Sequence, residues 1–198
     1  MNYLAHFHLA AVVAETSEHP EHQLLVGALL GDFVKGPLRG EWQNGLEAGI
    51  ALHRRIDALT DTHPEVIALL EQLPADYRRY GGIMLDVCFD YCLSRQWRNF
   101  STQPLPDFTG QVYATLAGSN EILPPKAKQQ AQSLQRYDVL GSMHHWQTVT
   151  NMLARIGLRL QRSNPLEHSA EILADNLPAI EQHFMRLYPE LMDTVRRG

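Results

Sequence analysis

The sequence predicts an all-α, single-domain helical bundle, and three observations lead there. Apolar residues recur at three- and four-residue spacing along almost the whole chain, the period of a helix with one buried face. Alternating apolar–polar runs closed by hairpin turns, the mark of strands, are missing. Prolines and Gly-Pro or Pro-Pro steps fall between the periodic stretches, where helices start or stop. At 198 residues and 44% apolar content, the chain is one ordinary domain with enough material for a real core.

The elements follow in order. Over residues 2–14, Asn2 suits an N-cap, and Leu4, Phe7, Leu9 and Val12 recur at helical spacing. Pro20, tolerated in a first turn, opens a second helix that stops by Gly36-Pro37. A third spans Trp42 to Leu59, and His63-Pro64-Glu65 starts a short fourth that ends near Pro74. A longer helix covers Asp76 to Phe100, with Gly81-Gly82 as a point where it can break. Pro104 and Pro106 mark a loop before a helix over 107–118, and 101–125 as a whole reads as the most loop-like part, a lid or a boundary. Pro124-Pro125 opens a helix to Arg136, and Asp138 is placed to cap a long one reaching Arg162. Pro165 and Pro178 sit in the first turns of two closing helices. No internal repeat or low-complexity segment interrupts the series.

Charge narrows the function classes. Seventeen basic against 22 acidic residues leave a net charge of −5, which argues against a general nucleic-acid or anionic-membrane binder. Cys88 and Cys92, four apart in an apolar run, match neither a zinc knuckle nor a secreted disulfide framework. Met1 to Ala11 lacks the basic start of a signal peptide, and no run approaches the ~18 apolar residues of a membrane span. The expected setting is the cytoplasm.

The chemistry is carried by carboxylates and imidazoles inside apolar helices. In Ile83-Met84-Leu85-Asp86-Val87-Cys88-Phe89-Asp90, two aspartates four apart share one face. A buried unpaired carboxylate is costly, so something positive must meet them, an arginine or a bound cation. In the third helix His53, Asp57 and Asp61 lie on successive turns, a spacing from which His and Asp can grip one metal. Asp61 is alternatively a cap for the next helix. His6 and His8, two apart, point to opposite sides of a helix; His6 is the one that suits the site, with His8 behind it. Asp32, in Gly31-Asp32-Phe33-Val34-Lys35-Gly36, lies near a helix C-terminus where the dipole disfavours it, which a nearby cation would explain. Helical bundles build internal metal sites in this way. Mixed nitrogen and oxygen donors fit Mn²⁺ or Mg²⁺, with Fe²⁺ also compatible. Cys88 and Cys92 lie opposite the aspartate face and read as packing residues. Met143-His144-His145-Trp146 reads most simply as the start of a packed helix, with a metal role as the lesser reading. Arg155, Arg159 and Arg162 form a basic stripe that could contact phosphate but is by default a solvated face.

At these same segments the chain resembles the acyl carrier protein phosphodiesterase family. The resemblance rests on Asn2 to Leu9, Gly31 to Gly36, Gly49-Ile50 leading to His53-Arg54-Arg55-Ile56-Asp57, Thr60-Asp61, Leu85-Asp86-Val87 and Phe89-Asp90. It extends more loosely to Arg159 and Tyr188-Pro189. The family usually has histidine after the second aspartate, where this chain has Tyr91. The resemblance implies an HD-like metal phosphohydrolase fold, Mn²⁺ dependence, and removal of the 4′-phosphopantetheine arm from holo-acyl carrier protein.

On that reading His6, Asp32, His53, Asp57, Asp86 and Asp90 hold one or two ions. Arg54 or Lys35 neutralises phosphate oxygens, and His8 or Asp61 orients water or protonates the leaving alkoxide. Asp90→Ala is then expected to abolish turnover while the fold survives. The carrier is itself strongly acidic, so docking needs a local basic surface: Arg54-Arg55, Arg78-Arg79, or Arg95 with Arg98. Two other readings stand beside this one. The same metal site could serve a nucleotide or other small phosphoester, or the chain could be a non-catalytic helical module for acidic partners.

Overall fold

The first helix, α1 (Tyr3–Ala14), is buried on nearly every side, from Leu4 to Ala10 without a gap. A helix apolar all round belongs at the centre of its protein, and α1 packs against α2 (Glu21–Leu30), α3 (Asn44–Asp61), α6 (Gly81–Arg95) and α11 (Leu177–Arg196). The computed structural model describes residues 1–160 and 162–197. The remaining helices are α4 (Pro64–Gln72), α5 (Ala75–Arg78), α7 (Leu105–Gly118), α8 (Pro125–Arg136), α9 (Trp146–Arg159) and α10 (Ser169–Asp175). Short 3₁₀ turns occur at Trp97–Asn99, Gly141–His144 and Leu166–His168, and no strand occurs among the described residues. The buried apolar side chains form one contiguous core that draws on every part of the chain. Among the described residues no helix is long and apolar enough to cross a membrane.

The all-α expectation holds, and several element boundaries move for physical reasons. The long helix expected over 76–100 is three pieces, since the chain turns at Tyr80 before restarting at Gly81. Gly81 packs closely there: a Cβ would press on the methyl ends of Leu70 and Leu73 at the end of α4. The supposed lid region 101–125 is mostly α7, begun with Pro106 in its first turn. Asp138 caps no helix. It adopts φ 44° at the end of α8, a conformation that aspartate tolerates better than most residues, and α9 starts only at Trp146. The expected run to Arg162 crosses a position outside the described residues; α9 itself ends at Arg159.

Two helix contacts set up the interior. Helices α2 and α3 cross at Gly27 and Gly49, where a Cβ on Gly49 would lie 2.6 Å from the Leu24 carbonyl oxygen. Only glycine permits backbones to approach this closely. One turn further on, a Cβ on Gly31 would strike the imidazole of His53. The glycines of α2 and the residue after it therefore decide where that ring sits.

Candidate metal centre

Three side chains meet where α1 and α3 face each other. Nε2 of His6 lies 3.0 Å from Oδ1 of Asp57, and Nε2 of His53 lies 3.2 Å from Oδ2 of the same carboxylate. The two imidazoles stack at 3.7 Å between centroids and 8° between planes. Their ligand atoms lie within 4.8 Å of one another, so the group could hold a metal ion. Both rings are buried, while Asp57 remains partly open.

Neighbouring groups orient this trio. Nδ1 of His53 is 2.7 Å from the Ala28 carbonyl oxygen, which can only accept, so Nδ1 carries the proton and Nε2 faces the carboxylates. Asp32, in the loop after α2, places Oδ1 3.6 Å from the same Nε2. Arg54 donates to the carbonyls of Val34 and Gly36, both at 2.8 Å, and so ties down the loop that presents Asp32. Tyr3, three residues before His6 on α1, is close enough to Asp32 for the carboxylate, together with burial, to push its phenol pKa up.

The electrostatics describe a cluster short of positive charge. Burial alone would lower the His53 pKa, but hydrogen bonds and charge from Asp32 and Asp57 overcome it and raise it to about 9. Burial alone would likewise raise Asp57, yet the hydrogen bonds from His53 and His6 hold it well below the usual carboxylate range. His6 goes the other way: burial lowers it to about 4, so it is a neutral imidazole. A proton on His53 thus supplies the charge for which a divalent cation would compete. The donor set fits such an ion. It offers two imidazoles and carboxylate oxygens, and Nδ1 of His6 is buried with no hydrogen-bond partner.

The paired aspartates of α6 are neutralised by neither an arginine nor the cluster. Asp86 receives the Met1 ammonium at 2.7 Å, and that ammonium is also 3.6 Å from Asp57 Oδ1. The Met1 carbonyl in turn lies 3.1 Å from His6 Nε2. Asp86 therefore borders the centre through Met1. Asp90 does something else: its two oxygens accept the backbone N–H groups of Leu4 at 2.8 Å and Ala5 at 3.0 Å. It caps α1 from another helix, a role expected of Asn2, whose amide instead contacts the Met152 sulfur at 2.9 Å. Burial raises the Asp90 carboxyl to about 7 against those two amide bonds, which favour the anion.

The other expected residues lie elsewhere. His8 is buried on the far side of α1, with Nδ1 2.7 Å from the Tyr188 hydroxyl and Trp97 and Phe108 around it. It belongs to the core and not to a proton path. Asp61 is exposed at the end of α3 and does not cap α4; His63 does, through Nδ1 to the Glu65 N–H at 3.2 Å. Lys35 is exposed on the loop. Arg54 gives one N–H of each terminal nitrogen to the carbonyls of Gly36 and Val34. Tyr91 packs edge-on against Trp146 at 5.0 Å, and Cys88 and Cys92 are free, buried thiols.

The centre opens into a cleft of about 460 Å³ between the start of α1 and helices α6, α8 and α9, a size that suits a small-molecule ligand. Tyr3, His6, Asp32 and Asp86 lie at one end. Ile83, Val87, Leu134, Met152 and Ile156 give apolar walls, punctuated by Gln130, Ser142, Thr148 and Asn151. The cations that line it are Arg155 and Arg159, and Arg159 is close enough for its charge to act on the Tyr3 phenol. The sequence pointed to Arg155 and Arg159 as a basic stripe but not to Gln130, Ser142, Thr148 or Asn151. Tyr3 had a further signal, its three-residue spacing from His6.

Fold and centre together define an all-helical protein with a histidine–carboxylate cluster that could hold a metal ion and that reaches a cleft through His6. The chain belongs to the acyl carrier protein phosphodiesterase family, whose model matches residues 1–191. An acyl carrier protein phosphodiesterase of Serratia proteamaculans (strain 568) is 34% identical over 203 residues, covering 99% of this chain and 98% of that protein. One from Yersinia pestis is 38% identical over 202 residues, covering 97% and 96%. One from Salmonella agona (strain SL483) is 33% identical over 198 residues, covering 100% and 98%. No solved structure matches the chain.

Proposed function

We propose that the protein hydrolyses the phosphodiester joining 4′-phosphopantetheine to the serine of an acyl carrier protein, releasing the apo-carrier and the free arm. The observation that carries this reading is the His6–His53–Asp57 cluster, whose His6 lines a cleft together with Asp32 and Asp86, in a chain whose full-length relatives bear that activity in their names. A phosphodiester is anionic and repels hydroxide, so its hydrolysis calls for concentrated positive charge beside the phosphorus.

His6, His53 and Asp57 would hold one divalent ion, with Asp32 and Asp86 as the carboxylates next in reach. The nitrogen and oxygen donors favour Mn²⁺, with Mg²⁺ or Fe²⁺ compatible. Bound there, the ion supplies Lewis-acid charge for phosphoryl oxygens and acidifies water. The chain's own groups do the rest. Arg159 faces the anionic diester from the cleft wall, and Tyr3, near Asp32, is a hydroxyl in the same lining that can pass a proton to the departing serine oxygen. The apolar wall and the amides of Gln130 and Asn151 suit a flexible arm that itself contains amides. A carrier substrate places the protein in the cytoplasm.

Intact-mass spectrometry of holo-carrier incubated with the protein tests this. With Mn²⁺ the carrier should lose about 340 Da, the mass of the arm, and with EDTA it should not. Asp57→Asn should abolish the loss and lower bound metal. A carrier left intact by metal-loaded protein that cleaves free nucleotides would overturn the reading in favour of a small-molecule phosphohydrolase.

A further inference from the structure

The chain's charge is sharply divided. Residues 125–165 carry six basic side chains (Lys126, Lys128, Arg136, Arg155, Arg159, Arg162) and one acidic, Asp138; the rest carries 11 basic and 21 acidic. This segment is the wall of the cleft made by α8 and α9. Arg136 and Arg155 flank the exposed ring of Tyr137, their guanidinium carbons 5.6 and 4.7 Å from its centroid. Among the described residues none of Arg136, Arg155 and Arg159 pairs with a carboxylate. Leu158, 84% exposed, lies on the solvent side of α9, next to Arg155 around the helix.

We propose that this arginine–tyrosine–leucine rim is the docking surface for the acidic protein that carries the arm. The inference rests on the carrier-hydrolysis reading for its occupant and on charge complementarity for its place. Unpaired arginines beside an exposed aromatic and an exposed aliphatic anchor are what a negatively charged helical surface can bury against. The rim also borders the cleft, so a partner seated on it would deliver its arm inward. The strong acidic excess elsewhere repels the same partner and leaves this face as the approach. Of the other basic residues suggested by sequence, Arg54, Arg55 and Arg78 give N–H groups to the backbone carbonyls of Val34 and Gly36, of Thr194, and of Leu73 and Glu71. Arg79 lies beside the Tyr80 ring, and none of these four lines the cleft.

Fluorescence anisotropy of labelled apo-carrier, which cannot be turned over, tests the surface on the full chain at low and high salt. Arg136→Glu with Arg155→Glu should weaken binding about tenfold or more at low salt and remove most of the salt dependence. The exposed pair Arg95→Glu with Arg98→Glu should leave affinity within about twofold. Circular dichroism establishes that both variants fold. Equal affinity for wild type and the Arg136/Arg155 variant, or equal weakening by the two double variants, would overturn the assignment. The mass assay on holo-carrier separates the two ideas. Turnover without this surface's involvement refutes the surface alone, and binding through it without loss of the arm refutes the hydrolysis alone.

Discussion

Gly31 shows how much one missing side chain decides. The sequence places it near the end of the second helix, next to Asp32, and gives it no role of its own. In the structure its use is space, because the position a Cβ would take is filled by the imidazole of His53. Gly31→Ala must push that ring away from Asp57 and from the Ala28 carbonyl that holds its tautomer. Overpacking of this kind costs about 1–3 kcal/mol, while misplacing a site residue by an ångström costs on the order of a hundredfold in rate. We expect kcat to fall about that far with only a modest drop in thermal midpoint. A variant with near-normal turnover would show that His53 tolerates displacement and is not a ligand. His53 and Asp57 were legible as an i, i+4 pair on a helix. Tyr3 and Arg159 were visible only as members of a segment and of a basic stripe; their meeting was not, because the cleft that gathers them joins residues more than 150 positions apart.

At the level of elements, Asp86 and Asp90 illustrate the difference between locating a charge and knowing its partner. The buried pair in α6 was readable from an apolar run interrupted every fourth residue. Its neutralisation was not, since the partners are the ammonium and the first-turn amides of α1. Asp90→Ala therefore strips a cap and leaves two buried N–H groups without acceptors, a loss of about 1–3 kcal/mol. Urea unfolding should show the shift, with Asp90→Asn, which keeps one acceptor, recovering part of it. An unchanged midpoint accompanied by lost metal would put Asp90 back among the ligands. The interhelical glycine contact of α2 with α3 was invisible for the same reason: Gly27 and Gly49 acquire meaning only once the two helices cross.

For the molecule as a whole, stability should depend on acid through the core as well as the centre. His8 is held neutral by burial, its pKa lowered to about 4 from an ordinary 6.5. Between those values the unfolded chain binds the proton and the folded chain does not. Stability is therefore complete above pH 6.5 and falls as pH drops through the window, by up to about 3 kcal/mol from this one group. Asp90, raised to about 7, acts in the opposite sense, since its folded form keeps a proton that the unfolded form releases. Comparing urea midpoints of wild type and His8→Gln across that range isolates the histidine. The wild type should lose stability more steeply on acidification, and parallel curves would show that His8 is protonated in the folded protein.

By itself the sequence determined the all-helical class, the family and the cores of most helices, because periodicity and proline punctuation are local properties of the chain. It also exposed nearly every residue of the centre as a polar group where burial was expected, because desolvation makes such groups conspicuous. The tertiary structure alone decided which of them meet. His6 and His53 stack on Asp57 while His8 and Asp90 serve the core and a helix end. Those assignments depend on helix crossings and the chain's first residue. Contacts between distant segments leave no periodic trace in either partner.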